Sequence, residues 1–239
     1  MATWTVIDTI PATLGSADGS SVTGVDSSSW NGPILVWASW YGAINTPTLS
    51  DSQGGNSNTY VPLTSTITTA NGNRSGRWFY CLSPAHVGSG HQWALNGLNT
   101  YSAFAVVALS PSQAASLLDL EVTAVSNSTS SLALGSNSPA FTDEILLLGA
   151  SGAVGTPGLT WSGATLDEQV VLNAGSNCTA LVAHKIQTSI AAENPTVTQT
   201  SGELAMQLIS LKSTSSGAGG GGGTAAPVFF SHLQQQGMA

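Results

Sequence analysis

The chain has 239 residues, 41% hydrophobic and only 7% charged, with four Lys and Arg against twelve Asp and Glu and a formal net charge of −8. This balance argues against a nucleic-acid partner, because phosphate binding needs clustered cations to displace counterions, and against an anionic membrane surface for the same reason. The length suits one large β domain and leaves no room for a second full one.

Solubility must then come from Ser, Thr, Asn, Gln and Gly rather than from the usual quarter of charged residues. Few long charged side chains means little side-chain entropy to lose when the surface is covered, which suits a protein that packs permanently against neighbours. Residues 1–8 lack a basic stretch followed by an apolar one, so the expectation is no secretory signal and synthesis in the cytoplasm. No apolar run approaches the ~18 residues of a membrane-spanning helix. Cys81 and Cys178 are expected as two buried thiols rather than as a bridge.

Short runs rich in Val, Ile, Leu, Tyr, Phe and Trp, separated by Gly, Pro, Asn, Asp and Ser, predict strands over residues 3–7, 33–41, 77–82, 91–95, 101–109, 144–150, 166–172, 178–187 and 203–211. Without intervening helical periodicity, these imply an all-β, antiparallel β-sandwich of jelly-roll-like form. In residues 34–41, Ile34, Val36, Ala38 and Trp40 alternate with Leu35, Trp37, Ser39 and Tyr41, so both faces are expected to be covered, as in a central strand. Residues 178–187 put Cys178, Ala180, Val182, His184 and Ile186 on one face and a more polar set on the other, which predicts core contact on one side only. One helical turn is expected within residues 113–120. The echo between residues 143–148 and 167–172 reads as two strands entered from similar acidic turns, not as a repeat architecture.

The composition changes sharply after residue 211. Residues 1–211 read as the sandwich domain, 212–226 as a flexible Gly/Ser-rich linker and 227–239 as a docking peptide. Within the peptide, Pro227, Val228, Phe229, Phe230 and Leu233 restore an apolar, strand-like character and are the candidate partner-docking residues.

Catalytic patterns are weak throughout. His86 and His91 flank a Gly-rich loop but lack the third and fourth ligands zinc requires. No Gly-x-Ser-x-Gly elbow accompanies a His, and His184 reads as a satisfied histidine on a strand. Asp119 with Glu121, Asp143 with Glu144 and Asp167 with Glu168 have the residue types of glycosidase acids, but acids clustered at turns more often serve solubility and edge protection. The glycines at 219–223 lack the Lys-Ser/Thr ending of a phosphate loop. No cofactor or metal is expected. Of the seven tryptophans, Trp37, Trp40, Trp78 and Trp93 lie inside strands and read as core. Trp30 and Trp161 lie in or beside loops and are the candidate ligand contacts, because exposed rings stack on sugar faces.

The segments Ile34-Leu-Val-Trp-Ala-Ser-Trp-Tyr41, Asp51-Ser-Gln-Gly-Gly-Asn-Ser-Asn-Thr-Tyr60, Arg77-Trp-Phe-Tyr80, Tyr101-Ser-Ala-Phe-Ala-Val-Val-Ala-Leu109, Asp143-Glu-Ile-Leu-Leu-Leu-Gly149 and Ala183-His-Lys-Ile-Gln187 follow one another in an order that resembles a family of β-sandwich proteins found among tailed-phage virion structural proteins. That family's pattern is similar to a strand, an Asp-x-x-Gly-Asn-x-Tyr turn and an aromatic strand, here lengthened at Gln53, Gly54 and Gly55. The resemblance implies a non-enzymatic role in a virion. A capsid decoration or cement protein is the leading expectation, its partners the major capsid protein, other virion proteins and copies of itself. The alternative is a glycan-binding tail or fibre module.

Overall fold

The computed structural model describes residues 4–14, 21–42, 47–63, 66–98, 100–110, 119–153, 157–172 and 178–212. Fifteen strands and no helix lie among them: β1 (Thr5–Leu14), β2 (Ser21–Val25), β3 (Ile34–Trp40), β4 (Thr48–Ser52), β5 (Val61–Pro62), β6 (Ile67–Thr68), β7 (Ser75–Cys81), β8 (His91–Asn96), β9 (Ser102–Ser110), β10 (Glu121–Ala133), β11 (Glu144–Gly152), β12 (Gly158–Thr160), β13 (Thr165–Leu172), β14 (Cys178–Gln187) and β15 (Thr196–Lys212). The expected helical turn falls largely on residues 111–118, which lie outside the described residues, as do residues 213–239 with Pro227, Val228, Phe229, Phe230 and Leu233.

The protein is an all-β sandwich with antiparallel pairing throughout. One main sheet has the order β1-β9-β3-β7-β5, with β6 also on β7; the other runs β10-β15-β11-β14-β13, with β12 on β15; a small sheet runs β2-β8-β4. Period-two alternation decides how these stack. Leu35 and Trp37 of β3 meet Ile145 and Leu147 of β11 in the core between the main sheets. Ile34, Val36, Ala38 and Trp40 point the other way, under Trp93 and Leu95 of the small sheet. All seven residues of β3 are buried, as its two-faced hydrophobicity predicts.

The outer face of the second main sheet is buried as well. Leu146, Leu148, Leu181, Ala183, Met206 and Leu208 pack there with Leu134, Trp161 and Val197. The cover is the sheet's own margin, because β15 bends at Gly202 (φ 140°) and carries its first residues, paired to β12 and to the end of β10, over that face. Glycine reaches this backbone region without a Cβ clash. The one-sided reading of residues 178–187 is thereby corrected, since Leu181 and Ala183 meet this second core.

The two halves of the chain repeat one topology. Counting only each main sheet's own strands, the first lies at an edge beside the last, followed by the second and the second-to-last. Ladder register fixes the correspondence: Trp37 lies between Ala105 and Trp78, and Gly149 lies between Gln207 and Val182. On this register β3 corresponds to β11, β4 to β12, β5 with β6 to β13, and β7 to β14. The broken pairs β1/β2 and β8/β9 correspond to the long strands β10 and β15. The resemblance of residues 143–148 to 167–172 is not this repeat, for those segments lie at different positions of one sheet.

Candidate functional site

The strongest polar cluster sits beneath the small sheet. Asp51 of β4 accepts from Asn58 N and Asn58 Nδ2, both at 2.6 Å, from Tyr60 Oη at 3.3 Å, and pairs with His91 Nε2 at 2.9 Å. Asn58 Oδ1 takes the amides of Ala85 and His86 at 2.8 and 2.9 Å. Trp93 Nε1 donates to Tyr60 Oη at 2.8 Å. A tight turn, closed by reciprocal Gln53 and Asn56 backbone bonds and made possible by Gly54 and Gly55 at positive φ, brings Asn58 and Tyr60 back over Asp51. The Asp-to-Tyr60 motif is therefore a folding device.

Burial works to raise the Asp51 carboxyl, but hydrogen bonds from His91 and Asn58 outweigh it and hold it below the ordinary carboxylate value. His91 Nδ1 in turn meets Ser27 Oγ at 2.8 Å. The array Asp51, His91, Ser27 contains the groups of a nucleophilic triad, yet Ser27 and His91 are both fully buried. Ser27 Oγ also accepts from Gly88 N at 2.8 Å and bonds Gly88 O at 3.1 Å, and the His91 ring stacks on Trp93 at 3.8 Å. An oxygen so engaged has no room to attack a substrate. The array ties loop 26–30 and the turn before β8 to β4.

Trp30 and Trp161 are not surface rings. Trp30 is 3% exposed, 5.4 Å from Trp93; Trp161 is 8% exposed and donates Nε1 to Glu193 Oε2 at 2.8 Å. Their loop positions suggested accessible faces. Tertiary packing turns both inward, one onto each outer core. By register, Trp161 and Glu193 occupy the positions that Asp51 and His91 hold in the first half. Lys185 completes the second cluster, bonding Glu193 at 2.7 Å.

All four cations of the chain are engaged internally. Arg74 is buried over the Tyr41 ring, and Arg77 Nε donates to Leu63 O at 2.6 Å. Lys185 serves Glu193, and Lys212 lies over the Phe141 ring at 4.3 Å. Cys81 and Cys178 are free and buried, and burial raises both thiols.

An accessible polar site lies where β1 of one main sheet meets β13 of the other. A groove of about 390 Å³ is lined by Asp8, Thr9, Thr165, Leu166, Asp167 and His184, with Val6 and Ile7. His184 Nδ1 meets Asp167 Oδ1 at 2.6 Å, while Asp167 Oδ2 is buried without a donor. Both edge strands bulge at the groove: Ile7 and Asp167 have no cross-strand partner in their ladders. Bulges re-aim side chains, and here they turn polar groups into the cleft. No cluster of three metal-ligating groups occurs among the described residues.

The fold and its polar sites define an internally repeated all-β sandwich with a buried Asp51, His91 and Ser27 array and a His184 and Asp167 pair at a groove. No family model, curated protein or solved structure matches the chain.

Proposed function

We propose that the protein is a non-enzymatic structural protein of a tailed-phage particle, a capsid decoration or cement protein that binds the shell and neighbouring subunits. The observation that carries this reading is the internal use of every Lys and Arg, which leaves a surface of hydroxyls, amides and carboxylates. Such a surface loses little side-chain entropy when covered and holds no free cations to capture nucleic acid. The engaged Ser27, His91 and Asp51 support a scaffold rather than a catalyst. If residues 227–239, joined to the domain through a Gly/Ser-rich sequence, dock on a neighbour, the tether sets a roughly millimolar effective concentration, so a weak contact of Phe229 and Phe230 adds to the main interface. The glycan-binding alternative draws no support from Trp30 or Trp161, which are buried.

The test is to purify particles, locate this polypeptide by mass spectrometry and imaging, and compare them with particles carrying a chain that lacks residues 227–239. The reading expects the chain on the shell and a loss of occupancy and thermal resistance on deletion. Its absence from particles overturns the assignment; unchanged occupancy and resistance remove the role of the tail.

A further inference from the structure

We propose that the groove between β1 and β13 is a docking site for a cationic side chain, an arginine in preference to a lysine, carried by an extended segment of a partner protein. Asp167 supplies an acceptor already stripped of water. Its side chain is 4% exposed, Oδ1 is held by His184, and Oδ2 has no donor. A buried carboxylate oxygen left in this state costs free energy until a donor reaches it. Asp8 adds a second carboxylate to the same groove, and no Lys or Arg lines it. The planar fork of a guanidinium suits paired carboxylate acceptors better than an ammonium does.

The internal repeat supplies a control. By register, Thr9 corresponds to Glu121, Asp8 to Leu120 and His184 to Tyr80, so the opposite seam, between β10 and β6, folds without the Asp8 and His184 groups. That seam has its own cation: the charge of Glu121 acts on Arg77, and Glu121 also takes Gln207 Nε2 at 2.7 Å. The β1/β13 seam has carboxylates and no Lys or Arg. With all four Lys and Arg engaged elsewhere, none of them answers these groups.

The groove also offers a surface for the segment carrying it. β1 and β13 are edge strands that meet there, and Leu166, 46% exposed, gives the methylene stem an apolar surface. The net charge of −8 steers a basic partner toward the protein. The site goes beyond the particle assignment and is tested without a particle.

The full-length protein is titrated with Nα-acetyl-arginine N-methylamide and with its uncharged citrulline counterpart, following the amide resonances of Thr9, Thr165 and Leu166. The arginine compound is expected to saturate with a half-point on the order of 1 mM, and citrulline about ten-fold more weakly or not at all. Asp8→Asn, at a half-exposed position that leaves the core untouched, weakens arginine binding about ten-fold. Asp167→Asn weakens it further, while Glu121→Gln at the opposite seam leaves it unchanged. No saturable shift, equal binding of citrulline, or retention of full affinity in Asp8→Asn overturns the proposal; should Asp167→Asn fail to fold, the Asp8 variant and citrulline decide it alone.

Discussion

Ser39 and Ser151 make reciprocal hydrogen bonds across the main interface: Ser39 Oγ donates to the Thr179 carbonyl at 2.9 Å, and Ser151 Oγ donates to the Ser75 carbonyl at 3.0 Å. The ladders place the two serines at corresponding positions, Ser39 between Ala103 and Gly76, Ser151 between Ala205 and Ala180. A two-fold relationship between the halves therefore extends to single hydrogen bonds. It also gives the sheet-to-sheet register a polar lock inside an apolar layer.

Replacing either serine by alanine is expected to lower the unfolding free energy by about 1 kcal/mol, the net value of one buried hydrogen bond. The double variant should be close to the sum, since the two bonds share no atom. Urea denaturation of the three variants checks both values; a loss confined to one serine would show that the locks are not equivalent.

Trp37 and Gly149 break the same symmetry by design of shape. A Cβ on Gly149 would lie 2.2 Å from Trp37 Cδ2, and one on Gly76 would lie 2.3 Å from Trp37 Cζ2 and 2.6 Å from Ser151 Oγ. The indole fills the place of both absent side chains, and its Nε1 donates to Ala150 O at 3.0 Å. Gly149→Ala is expected to cost about 1–3 kcal/mol through overpacking. Combining it with Trp37→Leu should recover part of what the two changes cost separately, and a double-mutant cycle in urea measures that coupling.

Glu144 predicts a loss of stability toward neutral pH. It is fully buried in β11, with the side chains of Ser210, Asp119 and Lys212 close by. Burial pushes its carboxyl up to about 7 from an ordinary 4.5; nearby Ser210 and Lys212 oppose the shift and Asp119 adds to it. The native state thus holds a proton that the unfolded chain releases. Its stabilising effect is fully present below about pH 4.5 and is lost as pH rises through about 7, a change of no more than about 3 kcal/mol. Glu144→Gln should flatten the thermal stability profile between these values and raise the melting temperature at pH 8.

Asp51 carries the opposite sign. Its depressed carboxyl contributes stability that is present at neutral pH and lost as pH falls through its folded value, below the ordinary 3.8. Asp51→Ala strips His91 Nε2 and the Asn58 amides of their acceptor and is expected to cost about 3–5 kcal/mol at pH 7. Trp30 and Trp93 lie in the core that this cluster closes, so tryptophan emission should shift to the red at lower urea concentration than in the unsubstituted protein.

The strands that were legible in the sequence are those whose side chains face a core on both sides or in strict alternation, as in residues 34–41 and 101–109. β10 was missed because its thirteen residues are mostly Ser, Thr, Asn and Ala in an edge strand that stays largely exposed, leaving no apolar period to read. The repeat had a trace in the chain: Ala38-Ser39 followed by Thr46-Pro-Thr-Leu-Ser50 matches Ala150-Ser151 followed by Thr156-Pro-Gly-Leu-Thr160. Strand order, not similarity, makes that match meaningful.

The amino-acid sequence by itself determined the all-β class, the central strand, the two free thiols and the scarcity of cations, because periodicity and composition act locally and survive without knowledge of neighbours. Only the tertiary structure decided that Trp30 and Trp161 are core, that Ser27, His91 and Asp51 are mutually engaged, and that Asp8, Asp167 and His184 share a groove. These depend on contacts that run from 17 positions apart, between Asp167 and His184, to 158, between Thr9 and Asp167, and pairing across sheets is set by register and bulges that no window of sequence contains.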